Sequence, residues 1–158
     1  MGVPVVIDGY NLLYARGDAP SPASRERLVR DLMRWAHARQ RRAVVVFDAW
    51  AQGERREREE TRGPVTICFT RYGERADDRI VRWVAAHPEA VVVSSDRAVK
   101  QSVSRRGAAV LDSGAFAERL EAALEPSADA EGGTVDRDQD EPRPARSLGR
   151  HASWLRGL

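Results

Sequence analysis

Acidic residues stand at the ends of apolar runs as far as residue 112. Asp8 closes Val3–Asp8, Asp48 closes Ala43–Asp48, Asp96 follows Val91–Ser95, and Asp112 follows Ala109–Leu111. A further pair, Asp77–Asp78, stands at the head of a helix-period segment after Val65–Phe69. Carboxylates that converge in one crevice repel one another and raise each other's pKa, so such a set calls for a counter-charge. His37 and His87 lie late in helical segments and Cys68 sits mid-strand, which argues against zinc. Oxygen-only donors suit Mg²⁺ or Mn²⁺, hard ions that keep several waters and also bind substrate phosphates. Such ions activate water and neutralise a phosphodiester during in-line displacement. Gly9 allows a close backbone approach, and Asn11 offers either a neutral oxygen ligand or an amide donor to a phosphate.

Each acid also has a plainer reading. Asp77, Asp78 and Asp112 can be helix caps or turn residues. Asp48 and Asp112 rank below the others, as supporting or capping groups. Asp8 is harder to dismiss, because Asp-Gly-Tyr-Asn follows an apolar strand with no hairpin partner. Asp96 in Ser94-Ser95-Asp96-Arg97 is similar, with serines that either cap a helix or hold a metal's water shell.

These acids must be positioned by an α/β framework. Val- and Ile-rich runs without polar alternation predict strands at Val3–Asp8, Ala43–Asp48, Val65–Phe69, Val91–Ser95 and Ala109–Leu111, covered on both faces as in a parallel sheet. Helical spacing predicts Ser24–Gln40 capped by Ser24, Ala76–His87, Arg97–Arg106 ended by Gly107, and Gly114–Leu124 capped by Ser113. The alternation predicts a three-layer α/β/α sandwich with a mostly parallel sheet. With strand order 3-2-1-4-5, the crevice where the order reverses lies between the strands ending at Asp8 and Asp96. Ala49–Gly63, charged on every side, reads as a solvated helix or a flap.

The 158 residues suffice for one domain, and 42% hydrophobic content excludes a wholly disordered chain. No apolar run approaches a membrane span, and the N-terminus lacks the pattern of a secretory signal. The single cysteine fits a reducing compartment, so a cytoplasmic location is expected. Net charge is +2, and Lys100 is the only lysine among 26 basic residues, a bias that a GC-rich genome explains as readily as RNA binding. Residues 1–125 form the expected domain, with net charge +3. Residues 126–147 carry net charge −3 and a single large apolar residue, Val135, so they read as a disordered acidic linker. Residues 148–158 form a short segment with helical spacing of Leu148, Ala152 and Leu155.

The strings VVIDGYNLL (Val5–Leu13), VVVFDA (Val44–Ala49), ICFTRYGERADDRI (Ile67–Ile80) and VVVSSDR (Val91–Arg97) together resemble the YacP-like branch of the NYN domain family, PIN-like endoribonucleases. Gly107-Ala108 followed by Asp112-Ser113 and Phe116 fits the same pattern, so the resemblance covers about residues 3–125. It implies that Asp8, Asn11, Asp77 and Asp96 form the metal-binding and catalytic set, with Asp78 assisting. It also implies a substrate among messenger RNAs and a ribosomal setting, as in better understood relatives.

The expectation is therefore an Mg²⁺- or Mn²⁺-dependent endoribonuclease in which Asp8, Asp77 and Asp96 hold the ion, leaving 5′-phosphate and 3′-hydroxyl ends. Tyr10, Arg16, Arg71, Arg75 and Arg97 are the candidates for RNA contact, with Arg55, Arg56 and Arg58 on the same edge; Tyr10 and Trp50 can each stack a base or merely pack on the sheet. The alternative is a catalytically silent RNA- or ribosome-binding module, against which the full acidic set argues. A phosphoaspartate phosphatase is disfavoured, since Tyr10 stands where its second acid would be.

Overall fold

The computed structural model describes residues 2–49 and 57–126. Trp50, Arg55, Arg56, the acidic segment after Pro126 and the C-terminal segment lie outside the described residues.

The elements run β1 (Val5–Asp8), α1 (Gly9–Ala15), α2 (Pro22–Arg39), β2 (Ala43–Phe47), β3 (Arg58–Arg62), β4 (Val65–Phe69), α3 (Ala76–Ala86), β5 (Val91–Val93), α4 (Arg97–Ser104), β6 (Ala109–Leu111) and α5 (Ser113–Leu124). The sheet order is β3-β4-β2-β1-β5-β6. All neighbours are parallel except the β3–β4 pair. The five strands expected from the Val/Ile runs thus keep their expected order.

Strand residues alternate between two cores. Val5, Ile7, Val45, Phe47 and Ile67 pack with Leu12, Leu28, Leu32, Trp35, Phe116 and Leu120 of α1, α2 and α5. Val6, Val44, Val46, Cys68 and Val92 pack with Ile80, Val84, Val99 and Val103 of α3 and α4. Both faces are covered, which is why these strands show no regular polar alternation and why a parallel sheet tolerates them.

The structure corrects the expectation for Ala49–Gly63. Its described part holds β3, which joins the sheet edge by a hairpin. Gly63, at φ 54°, opens the two-residue turn with Pro64. Exposed charges hid this strand, yet they suit an edge that must not recruit another chain. The Arg58 guanidinium lies 4.5 Å from the Phe69 ring centre, and Glu59 reaches the guanidinium of Arg79 on α3.

The caps also differ from expectation. Ser21 caps α2, and Ser24 returns the bond in a capping box. Asp112, not Ser113, caps α5. The seven-residue α1, unanticipated, starts directly on the last residue of β1. Its first residue must be glycine: a Cβ at Gly9 would stand 2.4 Å from Phe47 Cε1 and 3.0 Å from the Val46 carbonyl oxygen. Gly9→Ala is expected to destabilise the protein by about 1–3 kcal/mol through overpacking, measured by denaturant titration.

Candidate active site

The parallel strands bring their carboxyl ends to one edge, and the chain turns there into the helices that carry the acids. Asp8 ends β1 and caps α1, with Oδ1 accepting from the Asn11 N–H at 3.3 Å. Asp96 caps α4, with Oδ1 accepting from the Val99 N–H at 3.0 Å. Asp77 lies in the first turn of α3. β1 and β5 are adjacent, so the crevice expected from the order reversal lies between Asp8 and Asp96.

The acids act on one another. Asp8 is 8% exposed. Burial, then the negative charges of Asp77, Asp96 and Asp48, pushes its carboxyl up to about 6 against the lowering effect of the Asn11 N–H. Burial also raises Asp77, joined by Asp96, Asp78 and Asp48, while Arg75 works the other way. Asp8, Asp77 and Asp96 therefore share one neighbourhood, and Asp48, ranked lower from the sequence, belongs to it electrostatically. Asp78 is exposed and acts on Asp77. Asp112 stands apart: a bond from the Ser95 hydroxyl at 2.8 Å, then Lys100 at 3.1 Å, holds its carboxyl below the usual range. It is a cap and brace, as its lower rank implied.

Asn11 is fixed through its side-chain oxygen, which accepts from the Ser95 N–H at 2.7 Å and from the Ser113 hydroxyl. This oxygen ties α1 to the β5–α4 loop and to the start of α5. Of the two roles read from the sequence, the geometry thus favours the amide donor over the oxygen ligand. The two serines before Asp96 brace the loop: Ser94 Oγ accepts the Asp96 N–H at 3.1 Å, and Ser95 Oγ accepts the Ser113 N–H at 3.1 Å.

Among the described residues no three His, Cys, Asp or Glu side chains gather in an arrangement that holds a metal ion. The acids lie within reach of each other's fields without closing on one point. In kind the donors fit a hard divalent cation: they are all oxygens, several are negative, and burial with neighbouring negative charge outweighs the Asn11 N–H at Asp8. The caps occupy Oδ1 of both Asp8 and Asp96, which fixes each side chain while directing the second oxygen elsewhere.

The candidate RNA contacts divide. Arg71, Arg75 and Arg97 are exposed around this edge, Arg71 with a 3.7 Å contact to Glu74. Arg16 is not on the edge. It follows the last turn of α1, its side chain is 12% exposed, and it bridges Asp31 and Glu121 at 2.8 Å each. Its expected contact with RNA is therefore corrected: it holds α1, α2 and α5 together. Tyr10 packs edge-on against Phe47, with ring centres 5.3 Å apart, and its hydroxyl accepts from Arg25 at 3.1 Å. That contact corresponds to the packing role considered for it. Sequence reasoning missed Tyr72, a 70% exposed ring on the loop between β4 and α3.

Comparison with known proteins agrees with this architecture. A crystal structure of Rae1 (YacP) from Bacillus subtilis aligns with a TM-score of 0.62 at 22% identity, covering 78% of this chain and 75% of that one. Its W164L mutant aligns with a TM-score of 0.61 at 22% identity, covering 77% of each. No curated protein sequence matches. At this identity the structures establish a shared fold. The model of the YacP-like NYN domain matches residues 5–148, running beyond the expected domain boundary at 125. This chain belongs to the YacP-like NYN domain family, part of the PIN-like nuclease superfamily.

Proposed function

We propose that this protein is a divalent-metal-dependent endoribonuclease that hydrolyses RNA phosphodiester bonds, acting in the cytoplasm on messenger RNA, with the ribosome as its setting. Family membership supports a nuclease-like function related to RNA. The observation that carries the finer reading is that Asp8, Asp77 and Asp96 stand in one neighbourhood at the carboxyl edge of the sheet, where burial and neighbouring negative charges oppose the ionisation of Asp8 and Asp77. A fold gains no stability from such a set, and a protein that merely binds a polyanion is weakened by it. Among the described residues no helix is long and apolar enough to cross a membrane.

Asp8, Asp77 and Asp96 would hold Mg²⁺ or Mn²⁺, with Asp48 and Asp78 adding negative charge around them. When bound, the cation supplies charge neutralisation at the phosphodiester and acidifies water. The protein supplies position. The caps of α1 and α4 lock the Asp8 and Asp96 side chains, and Asn11, held through its oxygen, is left with its amide N–H groups to donate to a phosphate oxygen. Arg71, Arg75 and Arg97 flank the acids and offer guanidinium groups to neighbouring phosphates.

The test is cleavage of a short single-stranded RNA under Mg²⁺ and Mn²⁺ titration, with analysis of the product ends. Cleavage lost in EDTA, reduced at least about 10²-fold by Asp77→Asn, and yielding 5′-phosphate and 3′-hydroxyl ends is expected. EDTA-insensitive cleavage, or cyclic phosphate ends, would overturn the mechanism.

A further inference from the structure

We propose that Tyr72 is a stacking platform for one unpaired base of the RNA, beside the phosphate that is cut. This deepens the endoribonuclease reading and rests on it. Tyr72 is 70% exposed; the other large exposed apolar side chain among the described residues, Tyr14, belongs to α1. Most of this ring is left in water. The backbone presents it deliberately: the Glu74 N–H bonds the Arg71 carbonyl at 3.0 Å, closing a four-residue turn with Gly73 at φ 84° in its third position. The turn is held at its base. The Glu74 side chain, 9% exposed, pairs with Arg82 at 2.8 Å. Just before the turn, the Thr70 N–H bonds the Phe47 carbonyl at 3.1 Å, and its hydroxyl oxygen accepts the Ala49 N–H at 3.0 Å. A ring on a fixed support loses little entropy on stacking.

Its neighbours match the chemistry. Arg71 precedes Tyr72, Arg75 follows three residues after it, both are exposed, and Asp77 of the carboxylate group follows two residues after Arg75. Aromatic rings set among cations along a groove bind single strands, because every base offers a π-face while the cations track the backbone. A duplex does not present its base faces in this way, so the ligand class is single-stranded RNA.

The experiment follows cleavage by the full chain of a short single-stranded RNA carrying one abasic nucleotide, walked along the sequence. For the wild type, one abasic position near the cut is expected to lower kcat/KM by roughly 5- to 100-fold. Tyr72→Phe should behave as wild type. Tyr72→Ala should show the same loss on intact RNA and no further loss from that abasic position. Equal activity of Tyr72→Ala and wild type, or losses from the variant and the abasic site that multiply, would overturn the proposal. If the wild type binds RNA without cutting it, the endoribonuclease reading fails, and the same cycle read by fluorescence anisotropy decides the platform alone. Absence of both binding and cleavage would overturn both.

Discussion

Asp8→Asn is expected to abolish cleavage while making the metal-free protein more stable, and the gain should depend on pH. Asn keeps the cap on α1, since its side-chain oxygen still accepts the Asn11 N–H, so only the charge is lost. Burial, followed by Asp77, Asp96 and Asp48, raises the Asp8 carboxyl from 3.8 to about 6 in the folded protein. Between pH 4 and 6 the unfolded chain has released this proton and the folded protein still holds it. Stability therefore falls as pH rises through that window, by about 2–3 kcal/mol at full ionisation. Below about pH 3 both states are protonated and the wild type resembles the Asn variant. The difference in stability between variant and wild type should be near zero at about pH 3, grow towards pH 6 and level off above it. Taking the difference removes the opposite contribution of Asp112, whose lowered pKa stabilises the fold at higher pH in both proteins. At pH 7.5, Mg²⁺ or Mn²⁺ should stabilise the wild type more than the variant, because a ligand that binds only the folded state shifts the equilibrium towards it. Denaturant titrations at four pH values measure all of this; a gap that does not change with pH would mean that Asp8 is not a buried, repelled carboxylate.

The edge that gathers the acids was legible in the sequence because strand ends in a parallel sheet all meet at one side. Once Val3–Asp8 and Val91–Ser95 are read as neighbouring strands, as β1 and β5 are, Asp8 and the Asp96 that follows cannot lie far apart. The doubly covered strands were equally plain, since each Val and Ile serves one of two cores. What escaped was set by contacts remote in sequence or by elements too short to show a period. α1 has seven residues, with Gly9 and Asn11 in its first turn, and no amphipathic pattern develops in two turns. β3 is an edge strand whose exposed charges imitate a solvated helix. Arg16 sits in sequence beside the DGYN block, but its partners Asp31 and Glu121 come from two other helices and draw it into an ion-paired bridge. Asn11 could be placed at the site but not assigned a role, because Ser113, 102 residues away, decides which end of its amide is engaged. Tyr72 gave no local signal, since exposure of a single ring is a property of the fold.

Asp96 separates charge from structure most sharply, because one oxygen caps a helix and the charge acts on Asp8 and Asp77. Asp96→Asn should retain the bond to the Val99 N–H and the fold's stability to within about 0.5 kcal/mol, yet lose cleavage by about 10²–10³-fold. Asp96→Ala should lose cleavage to the same extent and, in addition, about 1 kcal/mol of stability as α4 gives up its cap. Removing the charge in either variant also lowers the carboxyls of Asp8 and Asp77, which partly offsets the loss of the cap. The informative quantity is thus the difference between the two variants, in which the electrostatic relief cancels and the cap remains. Equal stability of Asn and Ala would show that Val99 finds another partner. Substantial cleavage by Asp96→Asn would show that the α4 carboxylate serves the helix alone, leaving Asp8 and Asp77 to hold a cation without it.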